Sequence, residues 1–420
     1  MWKICVSERE GLSVRKEIAC MNNPREEKRN LETIPVGSLR MIPLEGCKNL
    51  GKKIDSYLVR WRTERENEHK DSLAFAGYQR DSYILDAKIA RFGSGEAKGI
   101  INESVRGTDL YLIVDVNNYS LTYSLCGIQN HMSPDDHYQD LKRIIAAVGG
   151  KARRITVIMP FLYESRQHKR STRESLDCAL ALQELVRMGV DNIITFDAHD
   201  ARVQNAIPLN GFETIQPTYQ FIKGLLRNVG DLNLDSEHMM VISPDEGGMS
   251  RAIYMANVLG LDMGMFYKRR DYTRIVEGHN PIVSHEFLGS SVEGKDVIVV
   301  DDMISSGETV IDVAKQLKKR NAGRIFIAAT FGLFTGGLSC IDEAYEQGLI
   351  DKVLTTNLIY QTPELLDRPW YINCDMSKYI AYIIDTLNHD ISISDLLDPN
   401  ERIQAALAEY RENHGTIVND

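Results

Sequence analysis

Asp301 and Asp302 close the apolar run Val297-Ile298-Val299-Val300, and the residues that follow supply hydroxyls and a glycine in the order Ser305, Ser306, Gly307, Glu308, Thr309. Backbone N–H groups at the start of a helix, together with hydroxyls and a residue without a side chain, suit a phosphate monoester. Two carboxylates facing that phosphate would repel it, so their natural ligands are hydroxyl donors or a divalent cation beside it. A ribose carrying a phosphate offers such hydroxyls. The loop holds no lysine, which argues against a Walker-type nucleotide site. A plain strand end followed by a capped helix is the structural alternative.

Four further clusters carry possible chemistry. In Ser243-Pro244-Asp245-Glu246-Gly247-Gly248 the paired glycines permit close backbone approach, and Asp245 can hold a hydroxyl or a metal-bound water; a turn with a helix cap would look the same. His199, in Asp197-Ala198-His199-Asp200, is a candidate metal ligand or base, or else a satisfied loop histidine. Carboxylates converging on one cleft repel each other unless cations sit among them, so three acidic strand ends point to magnesium with a polyphosphate. Arg166-Gln167-His168-Lys169-Arg170, after Phe161 and Tyr163, offers guanidinium forks and an aromatic wall for a nucleotide, or a solvated basic face. Lys268, Arg269 and Arg270 open a polar segment running to 285, where they could close over a phosphate chain and neutralise its charge, or form an exposed basic turn.

These clusters need a scaffold that delivers strand ends to one place. Apolar runs predict strands over 40–43, 110–114, 155–159, 192–196, 239–242, 263–267, 297–300 and 325–330. Amphipathic stretches predict helices over 50–61, 141–148, 174–188, 218–229, 249–259 and 310–317. The alternation implies parallel sheet in an α/β fold, whose ligands gather at the carboxyl ends of the strands. The polar stretch 117–140 reads as an inserted surface loop, and residues 1–40, charged and weakly periodic, as an extension.

With 420 residues, 43% hydrophobic and 26% charged, the chain is long enough for two or three domains. Its net charge of −10 disfavours a nucleic-acid-binding surface. Seven scattered cysteines without a CxxC pair suggest neither a disulfide framework nor a zinc site. The charged first twenty residues and the lack of a long apolar run predict a cytoplasmic protein with no membrane segment.

The loop 301–309 resembles the phosphoribosyl-pyrophosphate loop of type I phosphoribosyltransferases and of ribose-phosphate pyrophosphokinases, and by itself leaves both classes open. Taken in order, the motifs 92–96, 103–107, 166–167, 197–199, 243–248, 268–270, 301–309 and 355–357 resemble the ribose-phosphate pyrophosphokinases over about residues 41–395. That resemblance implies two tandem doubly wound type I phosphoribosyltransferase-like α/β domains with mainly parallel sheets. Their expected limits are 41–213 on the ATP side and 214–395 on the ribose 5-phosphate side, with a helical tail over 396–420. It further implies transfer of the β,γ-diphosphate of MgATP to the anomeric hydroxyl of ribose 5-phosphate by a homo-oligomer, dimer-based and up to a hexamer, whose neighbouring subunits share the ATP site.

By position, the resemblance puts ATP at Phe92, Ser94, Glu96, Arg166 and Gln167, and Mg²⁺ at His199 and Asp245. Ribose 5-phosphate falls to Asp301, Asp302, Ser305, Ser306, Gly307, Glu308 and Thr309, and stabilisation of the transferring group to Lys268 and Arg270. The chain departs from the family at Ser94 and Gly95, normally Asn and Gln, and at Ser305, usually Asp. A phosphoribosyltransferase and a catalytically silent regulatory homologue are the competing expectations, with a pyrophosphokinase for another phosphorylated ribose behind them.

Overall fold

A computed structural model describes residues 33–65, 75–270 and 282–414. The first 32 residues of the expected extension and most of the polar segment after Arg270 lie outside them. Two mainly parallel sheets organise the chain. The first has the order β1 (Ser38–Pro43), β4 (Thr108–Ile113), β7 (Arg154–Ile158), β8 (Asn192–Phe196) and β9 (Gly211–Ile215), every neighbouring pair parallel. In β4 every residue is buried, which is why the segment reads as a continuous apolar run rather than an alternation.

The second sheet has the order β12 (Ile282–Leu288), β11 (Asp262–Arg270), β10 (Met239–Ser243), β13 (Asp296–Ile304), β14 (Ile325–Gly332), β15 (Lys352–Thr356) and β16 (Tyr371–Cys374). Only edge strand β12 runs antiparallel to its neighbour. Along β13, Val297 and Val299 join one apolar cluster and Ile298 and Val300 another, because successive strand residues point to opposite faces. The chain leaves β10 for β11 on one side and returns to β13 on the other. In open α/β sheets ligands collect at such a reversal of strand order.

Helices α1 (Lys48–Glu64), α2 (Pro134–Val148), α3 (Asp177–Arg187), α4 (Thr218–Asn228), α5 (Met249–Leu259), α6 (Glu308–Lys318), α7 (Ser339–Glu346), α8 (Ser377–Asn388) and α9 (Asn400–His414) accompany the strands. Helix α8 follows the second sheet in sequence but packs on α1, and residues 376–396 contribute to the core of the first half. The tail helix α9 lies on α4.

The expected loop over 117–140 is structured instead. It holds a hairpin, β5 (Thr122–Leu125) and β6 (Ile128–His131), and the first turns of α2, which starts at Pro134 rather than 141. Ser133 accepts a bond from the Asp136 amide while Asp136 bonds back to the Ser133 amide, so a capping box with proline in the first turn begins the helix there. A second hairpin, β2 (Ala87–Arg91) and β3 (Ala97–Ile101), carries the motif at 92–96.

Candidate active site

A cavity of about 430 Å³ opens at the carboxyl ends of β10 and β13 and is closed on one side by His199, from the end of β8 in the first sheet. It brings together His199, Asp245, Asp301, Asp302, Ser305, Ser306, Gly307 and Thr309. The local folding explains each placement. Strand β13 runs two residues past the acidic pair, and Gly307 then turns with φ of 94° before α6 begins at Glu308. A β-carbon at Gly307 would come within 3.2 Å of Cys340 and Ile341, so space and backbone conformation both favour glycine. Glu308 itself is exposed and does not line the cavity. Asp245 is fixed by accepting the amides of Gly247 at 2.9 Å and Gly248 at 3.3 Å.

The electrostatics separate the two acids of the loop. His199 Nδ1 lies 2.7 Å from Asp302 Oδ2, and Arg251 Nη2 lies 3.8 Å from the same oxygen. Against the cost of burial, these partners hold the Asp302 carboxyl below the usual carboxylate range. For Asp301, burial and the neighbouring charge of Asp302 push the carboxyl well above that range. The hydrogen bond that His199 donates to Asp302 raises the pKa of His199. An ionised Asp302 therefore places the imidazole proton on Nδ1 and leaves the Nε2 lone pair for a ligand.

Arg251 holds the rest of this floor. Its Nε donates to Asp197 Oδ1 at 2.5 Å, its Nη2 to the Ala198 carbonyl at 3.2 Å and its Nη1 to the Gly247 carbonyl at 3.2 Å. Thr330 and Gln216 also donate to Asp197, at 2.6 and 3.0 Å. Burial raises Asp197, opposed by Arg251 and Thr330. The sequence reading gave Arg251 no role. Its one local signal is its position three residues beyond the glycine pair Gly247-Gly248, in the first turn of α5.

The remaining candidates sit elsewhere. Arg166 is near enough to His199 to oppose its charge, and Gln167 turns into its own loop, donating to the Ser175 carbonyl at 2.7 Å. Phe92, Ser94 and Glu96 occupy the tip of the β2–β3 hairpin and do not line the cavity. Lys268 and Arg270 end β11, paired through the backbone with His285 and Ile282; their side chains lie outside the described residues. Among the described residues no three His, Cys, Asp or Glu side chains form a ready-made metal cluster, and no helix is long and apolar enough to cross a membrane.

Parallel sheets with a phosphate-type loop and acids at their strand ends define an α/β protein of the phosphoribosyltransferase type. Residues 39–189 match the N-terminal domain of ribose phosphate pyrophosphokinase, and residues 211–340 the phosphoribosyl transferase domain. The ribose-phosphate pyrophosphokinase of Vibrio parahaemolyticus is 31% identical over 314 residues, covering 74% of this chain and 90% of that relative. That of Shewanella oneidensis shows the same identity and coverage. The crystal structure of phosphoribosylpyrophosphate synthetase from Mycobacterium smegmatis superposes with a TM-score of 0.66 at 22% identity, over 84% of this chain and 99% of that one, a likeness of fold. The chain belongs to the ribose-phosphate pyrophosphokinase family.

Proposed function

We propose that the protein transfers the β,γ-diphosphate of MgATP to ribose 5-phosphate, giving phosphoribosyl pyrophosphate and AMP. The observation that carries this reading is the 2.7 Å bond from His199 to Asp302, which ties a strand end of the first half to the phosphate-type loop of the second. A transferase working on one nucleobase has no need of the first half. Ser305, Ser306, Gly307 and Thr309 receive the 5-phosphate, and Asp301 and Asp302 face the ribose hydroxyls.

The donor set fits magnesium: His199 offers Nε2, and Asp245 has one oxygen not engaged by the glycine amides. Mg²⁺, when bound, supplies charge neutralisation to the polyphosphate. Arg166 and Gln167 hold the nucleotide, and the turn from Phe92 to Glu96 meets its base, contributed by a neighbouring copy in a homo-oligomer. The anomeric oxygen bonds to the β-phosphorus while the bond from that phosphorus to the oxygen bridging the α-phosphorus breaks. AMP leaves with the bridging oxygen, and the hydroxyl proton passes to water. Lys268 and Arg270 stabilise the charge on the group in transit, chemistry done by positioning and electrostatics. We place the protein in the cytoplasm.

Incubation with Mg²⁺, ATP and ribose 5-phosphate should yield AMP and the pyrophosphorylated sugar in equal amounts. AMP formation no greater than that of a Lys268→Ala variant would sink the proposal.

A further inference from the structure

The inserted hairpin β5–β6 meets the hairpin β2–β3 at its tip. Cys126 and Gly127, at φ of 51° and 84°, make a two-residue turn that presents the Cys126 amide to the Gly93 carbonyl at 2.8 Å. Gly95 has φ of 89°, and a β-carbon there would lie 2.8 Å from Leu125 Cδ1. The guanidinium of Arg91 sits 4.4 Å over the Tyr123 ring, while also donating to Asp140 at 2.7 Å and reaching the Gly95 carbonyl at 3.5 Å. The β5–β6 hairpin thus meets the turn and its entry at Arg91, Gly93 and Gly95.

That turn presents groups suited to a purine. Phe92 is 52% exposed, an aromatic face on which a base can stack. Ser94 donates to Glu96 at 3.0 Å, which orients the carboxylate and leaves further acceptor sites on it. A carboxylate accepts from the exocyclic amine of a 6-aminopurine and opposes the oxygen of a 6-oxopurine.

We propose that the β5–β6 hairpin, through Leu125 and Tyr123, is a positioning element that sets the base selectivity of the nucleotide donor. The proposal rests on the reading that the turn from Phe92 to Glu96 receives the base of ATP. Leu125 and Tyr123 act through the turn, occupying the space over Gly95 where the family carries a longer side chain. A turn already ordered by its neighbour has less freedom to lose when the base binds.

The test compares wild type with Leu125→Ala, Tyr123→Leu and a variant in which residues 121–132 are replaced by a short Gly-Ser link. Binding of ATP and of inosine 5′-triphosphate is measured calorimetrically with Mg²⁺ and no ribose 5-phosphate, beside AMP formation in the complete reaction. Loss of the hairpin should raise Kd and KM for ATP about tenfold and shrink the preference for ATP over the inosine nucleotide by a similar factor. KM for ribose 5-phosphate should stay within about twofold, since its loop is untouched. The point variants should move the same way by less, and they decide the matter if the shortened chain does not fold.

A lower thermal midpoint with an unchanged ATP to inosine nucleotide ratio would make the hairpin a brace for the fold and overturn the proposal. So would a wild type that binds no ATP. Hairpin-dependent selectivity without AMP formation would instead overturn the reaction and leave the base site standing.

Discussion

Asp302 stands where the two ligands of the proposed reaction, the sugar and the metal ion, would meet. Its carboxylate orients His199 and takes the nearby positive charge of Arg251, so it is poised to stay ionised while Asp301 keeps its proton more readily. Replacing it by Asn leaves the shape of the loop but loses the charge that fixes the imidazole proton on Nδ1. Removing such an outer carboxylate behind a metal-ligating histidine typically costs about 10–100-fold in metal affinity or activity. Asp302→Asn should therefore raise the Mg²⁺ concentration needed for half-maximal activity by about that factor, read from a magnesium titration of AMP formation. A rise confined to KM for ribose 5-phosphate would restrict Asp302 to the sugar. The acidic loop itself was legible because its chemistry is contiguous in sequence. Arg251 was not, because its partner Asp197 lies 54 positions earlier and Thr330, on the same carboxylate, 133 positions after it.

At the scale of elements, the sequence-predicted strands were read from apolar runs, whereas the segment from 117 to 140 was misread through its polarity. Ser133-Pro134-Asp135-Asp136 contains the groups of loops and the groups of a capped helix start, and only the reciprocal bonds of Ser133 and Asp136 distinguish them. Ser133→Ala should lower stability by about 1 kcal/mol, the usual worth of an N-cap, without altering turnover. A denaturant melt showing no loss would mean that the proline and the packing of α2 suffice. Gly51 makes the opposite case. It lies within α1, where alanine normally adds up to about 1 kcal/mol of helix stability. Here a β-carbon would stand 2.5 Å from two ring carbons of Pro43 on β1. Because the proline ring has little freedom to move, Gly51→Ala should destabilise by about 1–3 kcal/mol, the range of overpacked cores, and a rise in thermal midpoint would contradict that packing.

The whole molecule is joined by a buried polar network that no local pattern announces. Arg62 of α1 and Arg65, which caps its C-terminus, both pair with Asp385 of α8, at 2.8 and 2.7 Å. Asn388 links Arg62 to Asp109, which in turn holds Arg154. A helix carrying Asp385 and Asn388 and capped by His389 gives no sign in sequence that this face is buried, nor that it will pack on the first half. The burial has a consequence for acid stability. His389 is fully buried; its Nδ1–H donates to the Asp385 carbonyl at 2.8 Å, and Nε2 has no hydrogen-bond partner among the described residues. Burial pushes its pKa down to about 4, so the folded protein refuses a proton that the unfolded chain accepts near its ordinary 6.5. The folded state binds fewer protons than the unfolded one between those values, and stability must fall as pH drops through that window. Asp385, held at about 2 against the cost of burial by Arg62 and Arg65, keeps its contribution down to the ordinary carboxylate range and loses it only below that. The two groups therefore act in separate windows. From pH 7 to pH 5 the His389 contribution amounts to a loss of roughly 2 kcal/mol. A His389→Phe variant lacks the titrating group, so its denaturation midpoint should change less over that interval than wild type. Equal changes in the two proteins would show that His389 takes up its proton without opening the fold.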